Sequence, residues 1–124
     1  YTKAPSGGPL VQHALNAMLE KVKDGTITVE KMVQKMCHNP AILFQIEKRG
    51  YIREGYYADL VVADLNNPWT VTKENIAYKC KWSPFEDTTF SSKVIHTFIN
   101  GHLGYSKGQF SEKRNAKRLT FNRP

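Results

Sequence analysis

Apolar residues near the start of the chain recur with helical spacing. Leu10, Val11, Ala14, Leu15, Met18, Leu19 and Val22 fall on one side of a helical wheel. Pro9 suits the first helical position, where its missing N–H costs nothing, and Gly25 suits a left-handed cap, so the spacing predicts a helix between them. Thr28 can cap a second helix with Met32, Val33, Met36 and Cys37 on its apolar side. Asn39-Pro40 is expected to stop that helix and to start a short third one over residues 41–46, with Asn39 as its cap and Pro40 as its first residue.

The pattern then changes to that of strands, predicted at residues 51–53, 58–64, 69–72, 94–99 and 102–105. The run 58–64 is apolar enough for a strand buried on both faces, and Gly50 and Gly55 permit the turns around it. Asn100-Gly101 is a strong two-residue hairpin signal, pairing Ile99 with His102 and His96 with Tyr105. Residues 73–92 read as a helical turn followed by a loop at Pro84. From Lys107 the chain is polar and is expected to lie extended over a neighbour or to be disordered. Helices followed by strands suggest separate layers or parts of two domains. The apolar face of the first helix has no obvious partner within the chain.

At 124 residues the chain allows one domain with a modest core, whereas a complete barrel needs about 250. No apolar run approaches a membrane span, and no signal peptide is visible. The first residue is Tyr1, which fits an internal fragment or a processed product. Cys37 and Cys80 form no C-x-x-C pair, and two isolated thiols suit a reducing cytoplasm. The net charge of +7 is spread thinly apart from Lys113, Arg114, Lys117, Arg118 and Arg123. That distribution reads as a solvated face with a basic tail. The competing reading is a stand-alone nucleic-acid-binding module using Trp82, Lys79, Lys81 and the tail.

Catalytic chemistry is sparse. His13, His38, His96 and His102 make no H-x-H or i, i+4 pair. His13 falls on the polar side of its helix and reads as a solvent residue. His38 suits a helix C-terminus. His96 and His102 alternate onto opposite faces of the hairpin, so they cannot share one metal. Asp59 and Asp64, at odd spacing on one strand, face opposite sides and are expected to cap turns or to serve a structural role. Ser83-Pro84-Phe85-Glu86 reads as a proline turn with an aromatic anchor, its Glu86 accepting hydrogen bonds. The segment Ala4-Pro5-Ser6-Gly7-Gly8-Pro9 has more promise. Its glycines let the backbone approach a ligand, and the helix predicted to follow would aim free N–H groups at it.

Residues 50–64 have the form G-x-I-x-x-G-x-x-A-D-L-V-V-x-D, which resembles the segment after the catalytic barrel of amidohydrolases. Lys3-Ala4-Pro5-Ser6-Gly7, Thr28-Val29-Glu30, His38-Asn39-Pro40-Ala41, Trp69-Thr70-Val71, Ser83-Pro84-Phe85-Glu86 and the Asn100-Gly101 hairpin resemble dihydroorotases in the same order. The resemblance covers residues 1–110. It implies an α+β fragment: the last helices of a (β/α)8 amidohydrolase barrel over residues 1–46, strands of a small C-terminal β-sandwich over 47–106, and a basic extended tail over 107–124.

The resemblance further implies a zinc enzyme of pyrimidine biosynthesis, which reversibly hydrolyses dihydroorotate to N-carbamoyl-aspartate. In that family a binuclear zinc centre is held by an H-x-H, a carboxylated lysine, two further histidines and an Asp, all of which would precede Tyr1. The chain alone is therefore expected to be inactive and to bind no metal. The family's substrate-lining loop falls on Ser6 and Gly7. Many relatives carry Pro-Gly-x-Glu where this chain has Pro9-Leu10-Val11-Gln12, which leaves the role of Gln12 open. The implied partners are the small-molecule substrate, the remainder of the barrel and a possible second copy, in the cytoplasm. A non-catalytic scaffold of the same fold is the alternative.

Overall fold

The structure, a computed structural model, describes residue 3 and residues 7–113 and 115–122. The first helix, α1 (Ala14–Lys23), begins later than Pro9 predicts. Residues 10–13 form a turn instead, with the N–H groups of His13 and Ala14 both donating to the Leu10 carbonyl. Leu10 and Val11 are thereby left outside the helix, and Val11 is 93% exposed. The far end is as expected: Gly25 takes a φ of +78°, and its N–H donates to the Val22 carbonyl.

Thr28 caps α2 (Val29–Val33), its hydroxyl accepting from Lys31 N at 3.2 Å. The expected break at Asn39-Pro40 is absent. Asn39 is helical (φ −61°, ψ −43°) and caps nothing; the chain passes through a π-helical turn, Gln34–His38, directly into α3 (Asn39–Leu43). The π turn explains how proline is tolerated here. The Pro40 ring would strike the carbonyl four residues back in a regular helix, and the wider i→i−5 pattern relieves that clash. Asn39 N accordingly donates to the Gln34 carbonyl.

The chain then returns against this helix at Gly50. A Cβ built there would lie 2.5 Å from Ala41 Cβ and 2.7 Å from the Cys37 carbonyl oxygen, and φ is +78°. Residues 51–53 form no strand, contrary to expectation. Tyr51 is held by side-chain stacking rather than a ladder: its ring lies 4.2 Å from His38, nearly parallel, and the Arg53 guanidinium sits 4.3 Å from its centroid.

Four antiparallel strands form the main sheet in the order β1 (Leu60–Asp64), β4 (Lys93–Ile99), β5 (His102–Ser106) and β6 (Gln109–Phe110). β1 is an edge strand with Val61 and Val62 about half exposed, so the prediction of burial on both faces fails within this chain. Asn100 (φ +51°) and Gly101 (φ +82°) make the expected hairpin turn, and Ile99 faces His102. A register shift at Gly104 then places His96 opposite Ser106 rather than Tyr105. Alternation along β4 still puts His96 on the face opposite Ile99 and His102.

β2 (Trp69–Thr70) pairs with β3 (Thr89–Phe90), a strand absent from the sequence reading. Between them lie a 3-10 turn, Lys73–Asn75, and the turn after Ser83. Val71, Ile76 and Phe90 form the buried centre of this module, with Ala17 of α1, Trp69, Tyr78 and Phe85 packed around it. The tail crosses its own chain. Thr120 O accepts from Glu47 N, Asn122 N donates to Gln45 O, and Asn115 O accepts from the Asn100 side chain at 2.6 Å.

Candidate functional site

Of the two residues assigned to a substrate loop, Ser6 lies outside the described residues. Gly7 is exposed, with φ +76° and no atom of the described residues within 4 Å of a built Cβ. The helix does not follow it as closely as predicted. Because α1 starts at Ala14, the turn of residues 10–13 intervenes between its first-turn N–H groups and Gly7-Gly8, and Ala14 N and Ala17 N are already bonded to Leu10 O and His13 O.

The polar side of α1 and its leading turn fixes this loop to the β2–β3 module. Gln12 is a two-way clamp: its Nε2 donates to Asn75 O at 2.8 Å, and its Oε1 accepts from Ala77 N at 2.9 Å. The Gln12 backbone N–H also donates to the Tyr78 hydroxyl at 2.7 Å. One turn on, the Asn16 side chain, 2% exposed, donates to Ser92 O at 2.7 Å, a carbonyl that Trp69 Nε1 also reaches at 2.9 Å. Glu20 Oε1 accepts from both the N–H and the hydroxyl of Ser91.

His13 overturns its reading as a solvent residue: it is completely buried. Its Nδ1 lies 2.9 Å from Ser83 Oγ, and the rings of Trp69, Tyr78, Phe85 and Phe90 surround it at centroid distances of 5.7–6.1 Å. Burial pushes its pKa below the ordinary histidine value. The sequence signal that could have found this role was the polar set Gln12, Asn16 and Glu20 at intervals of one turn, a face built to be satisfied by another segment.

The acidic residues singled out from the sequence are bonded within the chain. Asp59 pairs with Arg49 and accepts from Asn100 N, while Asp64 accepts from Asn66 N, as turn-capping roles require. Glu86 accepts from Ser83 N at 3.3 Å. The histidines do not fit a zinc centre. His13 is enclosed by aromatic rings, His38 is stacked on Tyr51, and His96 and His102 occupy opposite sheet faces. Among the described residues no three His, Cys, Asp or Glu side chains are grouped to hold a metal ion. No helix among them is long and apolar enough to cross a membrane.

The chain resembles proteins of known activity along most of its length. It is 33% identical to a dihydroorotase of Pyrococcus horikoshii over 114 residues, 92% of this chain but 27% of that protein. A Clostridium acetobutylicum dihydroorotase is 37% identical over 106 residues, 85% of this chain and 25% of its own length. The chain thus spans about a quarter of the curated relatives it matches. Among solved structures, an L-hydantoinase (dihydropyrimidinase) from Arthrobacter aurescens superposes with a TM-score of 0.82 at 28% identity, covering 89% of this chain and 25% of that one. A Thermus D-hydantoinase (dihydropyrimidinase), at 24% identity and TM-score 0.83 over 90% of this chain and 25% of that one, shares the fold. The sequence profile of the amidohydrolase family matches residues 6–104, and the chain belongs to that family.

Proposed function

We propose that this chain is the C-terminal part of a zinc-dependent dihydroorotase, which interconverts dihydroorotate and N-carbamoyl-aspartate in cytoplasmic pyrimidine biosynthesis. The observation that carries the reading is the alignment with dihydroorotases over 92% of this chain and only 27% of the relative. On this reading the helical segment completes a (β/α)8 barrel and the main sheet belongs to a small β-sandwich. The barrel residues that precede this segment supply both the binuclear zinc centre and the catalytic Asp.

Zinc would activate the water that opens the cyclic amide, and residues outside this chain would hold it. The part left to these residues is positioning. Ser6 and Gly7 present backbone to the substrate, and the Gln12, Asn16 and Glu20 bonds hold the following helix in register with the β2–β3 module. A second copy of the protein is a further partner on this reading. The likeness to an L-hydantoinase (dihydropyrimidinase) at 28% identity favours a second reading, in which the ring opened is a hydantoin or a dihydropyrimidine.

The test compares this chain alone with the same chain joined to its upstream reading frame, both loaded with zinc. Dihydroorotate hydrolysis by the longer protein and none by the shorter is the expected result. Turnover of hydantoin or dihydrouracil without turnover of dihydroorotate transfers the assignment to the second reading. Tight zinc binding and dihydroorotate hydrolysis by the short chain alone would overturn the division of labour.

A further inference from the structure

We propose that His13 is a proton-sensitive latch: α1 stays docked on the β2–β3 module only while the His13 imidazole is neutral. The inference does not depend on the activity proposed above. It starts from the hydrogen-bond inventory of the buried ring. Ser83 Oγ already accepts from Phe85 N at 3.2 Å, so its own hydrogen is free to donate to His13 Nδ1 at 2.9 Å. With Ser83 donating to Nδ1, the imidazole hydrogen sits on Nε2, which is buried and has no hydrogen-bond partner among the described residues. Tyr78 and Phe85 meet the ring edge-to-face.

A proton taken up from solvent adds to Nδ1 and makes the ring a donor at both nitrogens. Ser83 must then accept from Nδ1 as well as from Phe85 N and turn its own hydrogen elsewhere, while Nε2 still finds no acceptor. The added charge sits among Trp69, Tyr78, Phe85 and Phe90, of which only Tyr78 carries an ionisable group. Glu20 of α1 and Glu86 of the turn after Ser83 are already engaged, the first with Ser91 and the second with the backbone N–H of Ser83. Opening the latch rehydrates the imidazolium and releases the start of α1, with the loop that carries Gly7.

The sign follows from linkage. The docked state disfavours the charged ring, so it binds fewer protons than the undocked state. Docking is fully stable above the ordinary histidine value of about 6.5 and weakens as pH falls below it, by at most about tenfold per pH unit. Hydrogen exchange of the α1 amides across a pH series, corrected for intrinsic exchange rates, reads this directly. Protection should be level above neutrality and fall on acidification. In His13→Asn, which keeps an acceptor for Ser83 but does not titrate, protection should stay level over the same range. A level profile in the native chain, or an equal fall in the variant, overturns the latch. Should the variant fail to fold, the ring ¹⁵N shifts of native His13 decide. Titration coincident with loss of α1 protection supports the latch. Titration at any pH with α1 still protected means that the four rings accommodate the cation, and overturns it.

Discussion

The side-chain oxygen of Gln12 accepts from the backbone N–H of Ala77 at 2.9 Å, across 65 residues of sequence. Its amide nitrogen simultaneously donates to the Asn75 carbonyl at 2.8 Å. Only a carboxamide supplies both halves. A glutamate at this position could keep the bond to Ala77 but would set a carboxylate against the Asn75 carbonyl. Gln12→Glu should therefore destabilise the chain by about 0.5–1.5 kcal/mol at neutral pH. Protonation of the introduced carboxyl restores a donor, so the deficit should shrink at acid pH. Urea midpoints of the two proteins at two pH values check both statements.

Gly50 and Gly55 share a φ of +78° but differ in their surroundings. At Gly55 an added methyl meets nothing within 4 Å, so Gly55→Ala carries only the left-handed backbone penalty of about 1–2 kcal/mol. At Gly50 the same methyl lands on Ala41 Cβ and the Cys37 carbonyl, both rigid parts of the helix. Gly50→Ala should exceed Gly55→Ala by at least about 1 kcal/mol, the low end of an overpacking cost. Equal losses in thermal or urea unfolding would show that the helix shifts freely away from residue 50.

What the sequence disclosed was what neighbours in sequence decide. Thr28 capping α2, Gly25 closing α1 and Asn100-Gly101 turning the hairpin each depend on a few adjacent residues, and each was legible. The π turn was not, because Pro40 ordinarily ends a helix and here is absorbed by a wider one. Strand β3 is two residues long and exists through Trp69 and Thr70 opposite it. The burial of His13 likewise depends on Ser83, 70 residues away. For the candidate site, the polar set Gln12, Asn16 and Glu20 recurs at one-turn spacing and was legible as a face, but the segment 75–92 that satisfies it carries no local signature. The partners of Gln12, at residues 75, 77 and 78, were not visible in the sequence.

Asn16 distinguishes a lost donor from an introduced charge. Its amide bonds Ser92 O, but Trp69 Nε1 donates to the same carbonyl, so removing the amide does not orphan that acceptor. Asn16→Ala should cost about 1–2 kcal/mol, mainly as a lost hydrogen bond with a small void. Asn16→Asp directs a carboxylate, in a site 2% exposed, at a carbonyl oxygen, and should cost more. The excess should diminish at low pH as the carboxyl protonates. An aspartate variant as stable as the alanine one at neutral pH would mean that water reaches the Asn16 site.

Arg49 offers a test of geometry as opposed to charge. Its guanidinium pairs with Asp59, donates from Nη2 to Asn100 Oδ1 at 2.9 Å and lies 4.4 Å from the Tyr57 ring centroid. Asn100 in turn bonds Asp59 through its backbone and Asn115 through its side chain, so one planar cation ties the approach to β1, the hairpin tip and the tail together. The Arg49 side chain is only 12% exposed, which removes much of the solvent screening that makes surface pairs weak. Lysine keeps the charge but not the fork or the flat stacking surface. Arg49→Lys should therefore lose about 1–2 kcal/mol, and the amides of residues 115–122 should exchange faster than those of α1 are affected. If lysine matches arginine in both stability and tail protection, the junction needs only a positive charge, and the tail is held by its backbone bonds to Gln45 and Glu47.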